Sequence, residues 1–149
     1  MVKVLQATGK PVILVLNEGR PRLINDIVGG SKAVVHTFLP GNHGGEALAN
    51  LLSGEANFSG RMPYTYPKYH GSFITYDCKP CEYVETMDGA YNYSANTPIQ
   101  WPFGYGLNYS KVNYSNLKMT RDGNQLVFTV DVCNEGGCDV KESVLLFIS

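Results

Sequence analysis

The chain has 149 residues, 44% of them hydrophobic, and balances 12 Lys and Arg against 13 Asp and Glu for a formal charge of -1. Such a chain can bury a core, as one domain or as parts of two, which argues against disorder. The balance leaves no basic footprint for nucleic acid and no cationic cluster for an anionic membrane, so the expected partner is neutral.

At the N-terminus, Val2–Ala7 reads as the last turn of a helix, with Gly9 as its cap and Pro11 as its exit. The apolar run after Lys3 is too short for a signal peptide, and charged residues follow it. Pro11–Leu16 is rich in Val and Ile, which suits a strand buried on both faces, and NEGRP closes it. Arg22–Val28 is expected to form a short helix, GGS to break it, and Ala33–Leu39 to form a second strand. Gly44–Leu52 reads as a helix with Ala47, Leu48, Leu51 and Leu52 on one face, and Tyr64–Tyr66 as a third short strand. Strand, helix, strand, helix at this spacing is the signature of an α/β fold with parallel strands.

Residues 68–104 are rich in Tyr, Gly, Pro and Asn without a clean period and read as an irregular linker. From Tyr105 the pattern is all-β. In Gln125–Cys133, Leu126, Phe128, Val130 and Val132 alternate with the residues between them. NEGG is expected to turn the chain into another strand, Ser143–Ile148, as in the opening hairpins of a β-sandwich. Both ends of the chain read as cuts, one at the end of a helix and the other inside a strand. The expected units are thus 1–67, 68–104 and 105–149.

Two loops can carry chemistry. NEGR (17–20) and PGNHGG (40–45) lie at the carboxyl ends of parallel strands, where open α/β sheets gather ligands. Asn17, Arg20, Asn42 and His43 are therefore candidates for one shared rim. Neither loop has the glycine spacing of a phosphate-binding motif, and no cofactor or metal site is expected. His43 could shuttle a proton, contact a ligand or sit exposed in a turn. Asp26, Glu46 and Glu55 raise the question of a carboxylate pair at about 5–10 Å, the equipment of glycoside hydrolysis, yet sequence alone pairs none of them. Glu46 more simply complements the helix dipole.

Cys78 and Cys81 form CKPC without the strand-to-helix context of a redox motif, while Cys133 and Cys138 flank NEGG and could face each other as a disulfide. Free thiols, and a four-cysteine zinc site, remain alternatives for these residues. Asn57, Asn92, Asn108 and Asn113 each begin an Asn-x-Ser sequon. With the cysteines they point to a secreted or extracellular setting, periplasmic in a bacterium.

"GKPVILVLNEGRP", "LPGNHGGEALANLLSGEANFSGRMPYTYP" and "WPFGYGLNYSKVNYSNL" together resemble, in order and spacing, the C-terminal part of family 3 glycoside hydrolases, the β-glucosidase and β-xylosidase group. The resemblance implies the second half of an α/β-sandwich domain followed by the first strands of a fibronectin type III-like domain. It also implies a retaining, exo-acting enzyme on an oligosaccharide or β-glycoside, whose aspartate nucleophile belongs to a preceding barrel domain. The family's acid/base glutamate would lie upstream of Met1, so Glu18, Glu46, Glu55 and Glu82 are not assigned that role. Many members carry glutamate in PG-x-EGG where this chain has His43. A non-catalytic carbohydrate-binding module, with the Tyr and Trp residues of 64–105 as its stacking surface, is the alternative.

Overall fold

The structure, a computed structural model, describes residues 1–71, 74–77 and 98–147. Cys78, Cys81, Glu82, Asn92 and Ile148 lie outside the described residues. Along the chain run α1 (Val2–Gln6), β1 (Ile13–Leu16), α2 (Asn25–Val28), β2 (Ala33–His36), α3 (Gly44–Ser53), β3 (Tyr66–Pro67), β4 (Ile99–Trp101), β5 (Val112–Asp122) and β6 (Gln125–Asn134).

The aliphatic runs pair in parallel, Ile13 opposite Ala33 through Leu16 opposite His36, with α2 in the crossover. This is the α/β arrangement expected. Burial is one-sided, however. Leu14 and Leu16 face the core, whereas Ile13 and Val15 are exposed, because no described element lies over their face. β2 stops at His36 rather than at Leu39, since Phe38 adopts a positive φ of 53° that a strand cannot continue through. α3 ends where Gly54 takes the left-handed conformation, a common helix stop. Its Leu48 and Leu51 are half-buried, but Leu52 is exposed.

The core is small: Leu16, Ile24 and Tyr66 are buried, with Leu14, Ile27, Val28, Val34, Met62, Tyr64 and Trp101 packed around them. It therefore joins β1 and the α2 crossover to β3 and β4. Those last two strands form an antiparallel pair, Tyr66 opposite Trp101, so the stretch expected to be an irregular linker ends in a strand. Just beyond, Met62 N donates to Tyr105 O at 2.8 Å and Gly104 N to Met62 O at 2.8 Å. The segments SGRMPYTYP and WPFGYGL are thus bonded to each other.

That clasp requires a glycine at position 106. A Cβ on Gly106 would sit 2.6 Å from the Gly60 carbonyl oxygen and 2.9 Å from Arg61 Cδ. Gly106→Ala is expected to destabilise the protein by about 1–3 kcal/mol through overpacking. Gly60→Ala, whose Cβ meets nothing within 4 Å, should stay within about 0.5 kcal/mol of the parent. Equal urea midpoints for the two variants would refute the close approach.

The β-rich end differs from expectation in pairing. β6 pairs antiparallel with β5, Asp122 opposite Gln125, through a loop with Gly123 at φ 58°. A glycine with positive φ suits a two-residue hairpin loop. Ser143–Phe147 forms no strand. NEGG makes no hairpin because it folds onto Ser110 and Lys111. Asn134 Oδ1 accepts from Ser110 Oγ and Gly136 N, and Glu135 N donates to Lys111 O at 2.8 Å. Phe128 and Val130 are half-buried on β6, while Leu126 and Val132 remain exposed.

Candidate functional site

Immediately after β1, Glu18 turns its carboxylate inward. Its Oε1 accepts from Tyr66 Oη at 2.8 Å, lies 3.3 Å from His36 Nε2, and is 3.4 Å from Arg22 N. Tyr66 Oη lies 2.7 Å from Arg22 O and 3.2 Å from Arg22 N. Tyr64 Oη stands 3.2 Å from His36 Nε2. The Glu18 and His36 side chains are only 11% and 7% exposed. Because β1 and β2 pair in register, Leu16 and His36 stand opposite each other, and the residues just beyond both strand ends converge here.

Burial pushes the His36 pKa down, against an opposing pull from Glu18. The neutral ring that results fits the geometry. With its proton on Nε2 it donates to Glu18, and the buried Nδ1, which has no partner among the described residues, is left as a lone pair. A protonated ring would leave a buried N–H unpaired there, the costlier arrangement. Burial first, and then Glu18, raise the Tyr64 and Tyr66 pKa values, so both phenols keep their protons.

Over this cluster opens a cleft of about 480 Å³ lined by Asn17, Glu18, Gly19, Arg20 and Arg22. A second cleft, of about 570 Å³, is lined by Pro21, Arg22, Leu23, Pro67, Tyr69, His70 and Gly71, so Arg22 borders both. Of the expected rim residues, Asn17 and Arg20 line the first cleft. Asn42 and His43 are exposed beside α3 and line neither, although the two loops do abut, the Leu39 side chain lying 3.4 Å from where a Gly19 Cβ would be. His43 is the N-cap of α3 and makes no side-chain capping bond. Gly44 packs on Pro40, where a Cβ would come within 2.5 Å. The glycine turn at 40–45 therefore bends the chain tightly.

Sequence reasoning missed His36 and Tyr66 as partners of Glu18, and Tyr64 as a partner of His36. A short strand was expected over Tyr64–Tyr66, whereas β3 is Tyr66–Pro67, and only the alternation of the tyrosines about Thr65 hinted that their hydroxyls share one side.

Elsewhere, Cys133 and Cys138 are free, exposed thiols, and the expected disulfide is not formed. The reason is the folded-back NEGG turn: Asn134 Nδ2 and Ser110 Oγ hold the Cys138 carbonyl instead of a hairpin setting the two cysteines opposite each other. Among the sequons, the Asn57 amide is used at both ends, donating to Asp139 O at 2.9 Å and accepting from Tyr109 N at 2.8 Å. Asn108 Oδ1 accepts from Ser110 N, while Asn113 sits half-buried on β5 opposite Cys133. Among the described residues no group of three or more His, Cys, Asp or Glu could hold a metal ion, and no helix is long and apolar enough to cross a membrane.

Parallel strands, a crossover helix and a polar cleft at the strands' carboxyl ends define an α/β domain whose cleft lies where such sheets gather ligands. The chain is 38% identical, over all of its length, to the lysosomal beta glucosidase of Dictyostelium discoideum. It is 32% identical, over 99% of its length, to a beta-xylosidase of Formosa agariphila. It spans 19% and 21% of those two proteins. Its fold matches the solved structure of a β-glucosidase from Erythrobacter marinus with a TM-score of 0.72 at 31% identity, covering 90% of this chain and 18% of that one. Residues 1–109 match the glycosyl hydrolase family 3 C-terminal domain, and the chain belongs to that family.

Proposed function

We propose that this chain is the C-terminal portion of a retaining, exo-acting β-glycosidase of the β-glucosidase or β-xylosidase type, in which it supplies scaffold and one rim of the sugar site. The observation that carries this reading is the family match over residues 1–109, the part of the chain that contains the strand-end cleft. Retention requires a nucleophile and an acid/base about 5–5.5 Å apart. The reading assigns the nucleophilic aspartate to a barrel domain that precedes this chain in the whole protein, and the acid/base to a segment upstream of Met1. Glu18 is committed to Tyr66 and His36, and Glu46 and Glu55 line neither cleft. The strands β5 and β6 would begin a fibronectin type III-like domain. The sequons, and a relative named for the lysosome, support a secreted or lumenal setting.

The test is an assay on 4-nitrophenyl β-glucoside and β-xyloside. The full-length protein that carries this chain should hydrolyse at least one of them, whereas the 149-residue chain should not exceed a buffer blank. Turnover by the short chain that is lost on mutating one of its own carboxylates would overturn the assignment, and an inert full-length protein would favour a non-catalytic carbohydrate-binding module.

A further inference from the structure

We infer that Glu18 is a sugar-binding residue, a clamped carboxylate whose outward oxygen accepts a hydrogen bond from a hydroxyl of a neutral saccharide in the cleft of Asn17, Arg20 and Arg22. The inference rests on the sugar-rim reading above and deepens it.

The two oxygens of Glu18 have different surroundings. Oε1 is taken up by Tyr66 Oη, His36 Nε2 and Arg22 N, whereas Oε2 has no partner among the described residues. The side chain borders the cleft and keeps 11% of its surface exposed. Oε1 is pinned by three contacts while the side chain borders a cleft of about 480 Å³, so the side-chain freedom that binding would otherwise remove is already lost on folding. Three contacts to Oε1 fix the direction in which Oε2 presents its lone pairs.

The lining also selects the ligand's charge. Asn17, Arg20 and Arg22 supply donors and Glu18 a charged acceptor, the mixture that adjacent sugar hydroxyls satisfy by donating to one neighbour and accepting from another. Two arginines against one carboxylate oppose a cation, and an anion seated beside Glu18 meets that carboxylate. A neutral polyol meets neither penalty. Among the described residues the lining carries no aromatic ring, and recognition by them is through hydroxyl bonding rather than stacking.

A hydrogen bond to a charged acceptor in such a site discriminates strongly against an analogue that lacks the hydroxyl. The experiment uses the full-length protein carrying this chain, with monodeoxy analogues of its 4-nitrophenyl glycoside substrate. Wild type should lose about 10–100-fold in kcat/KM with one particular deoxy analogue. In Glu18→Gln the parent glycoside should lose a similar factor, mainly in KM, while the penalty for that one analogue shrinks to about 3-fold or less, as expected when the two changes remove the same bond. A merely structural role would lower activity on all analogues by one factor and leave their ratios unchanged, which would overturn the inference while the glycosidase reading stands. If Glu18→Gln fails to fold, Arg20→Ala decides. Its side chain is exposed, and it should raise KM by about 3–10-fold at constant kcat, with an unchanged KM counting against the site. Should the full-length protein hydrolyse no glycoside, the glycosidase reading falls. Calorimetric titration with glucose, xylose and cellobiose then tests the cleft by itself, and binding that Glu18→Gln does not weaken, or no binding, overturns the inference.

Discussion

Tyr66→Ala is expected to remove about 3–5 kcal/mol of stability, the range for truncating a buried aromatic. Tyr66 is completely buried, one of three hydrophobic residues that form the core among the described residues, and its ring meets Trp101 edge-on at 5.1 Å between centroids. Truncation therefore opens a void where β1, β3 and β4 meet. The hydroxyl contributes separately. Tyr66→Phe keeps the ring but removes the single hydroxyl proton that Glu18 Oε1 and Arg22 O share, an expected cost of about 0.5–1.5 kcal/mol for a lost hydrogen bond. Urea unfolding of the full-length protein should rank wild type above Tyr66→Phe and Tyr66→Ala last. An equal loss for both variants would mean that the hydroxyl carries the stability and the ring packs loosely.

Much of this architecture is legible in the amino acids, and the failures have identifiable physical causes. The Val- and Ile-rich runs announced two parallel strands because a parallel pair with a helical crossover is a local, strongly patterned unit. Strand limits were less visible. A single residue, Phe38 at positive φ, ended β2 three residues early, and nothing in its type signals that conformation. The pairing of β6 was misread because NEGG and DGN are both turn signals, and the choice between them was made by Ser110, a residue 24 positions from its partner Asn134. β5 was hard to see at all. Its sequence, VNYSNLKMTRD, is polar on both faces and interrupted by a bulge between Ser115 and Lys118, with Asn116 at φ 54°. At the cleft, Asn17 and Arg20 were found because they follow a strand directly. The cluster beneath was not, since Glu18, His36, Tyr64 and Tyr66 come from three separate segments and meet only through tertiary packing.

Beside the bonds of Asn57 to Asp139 and Tyr109, a largely buried carboxylate ties the β-rich end to the α/β part, and Arg61→Ala should expose how much depends on it. Glu142 Oε2 is paired with Arg61 Nη2, its Oε1 accepts from Tyr114 Oη at 2.8 Å, and Asn108 Nδ2 lies 3.5 Å away. Arg61 sits beside the clasp, Tyr114 on β5, and Glu142 past the end of β6, so three segments converge. The two charged side chains are 13% and 14% exposed, unlike the Lys111–Glu135 pair at 71% and 43%. Removing one partner of a largely buried pair strands the other charge, at an expected cost of about 3–5 kcal/mol, whereas Lys111→Ala should cost no more than about 1 kcal/mol. The pH dependence follows from the same contacts. Burial pushes the Glu142 pKa up, but Arg61 and Tyr114 outweigh it, and the net shift is downward from 4.5. A carboxyl with a lower pKa in the folded than in the unfolded state adds stability that is fully present above the unfolded value and is lost as the pH falls through the folded one. Urea midpoints of wild type should therefore drop below about pH 4.5, and Glu142→Gln, already weaker at pH 7, should show a shallower drop over the same window. Parallel pH curves for the two proteins would mean that Glu142 is not the titrating group, and an Arg61→Ala midpoint matching that of Lys111→Ala would mean that the β-rich end is held by something other than this pair.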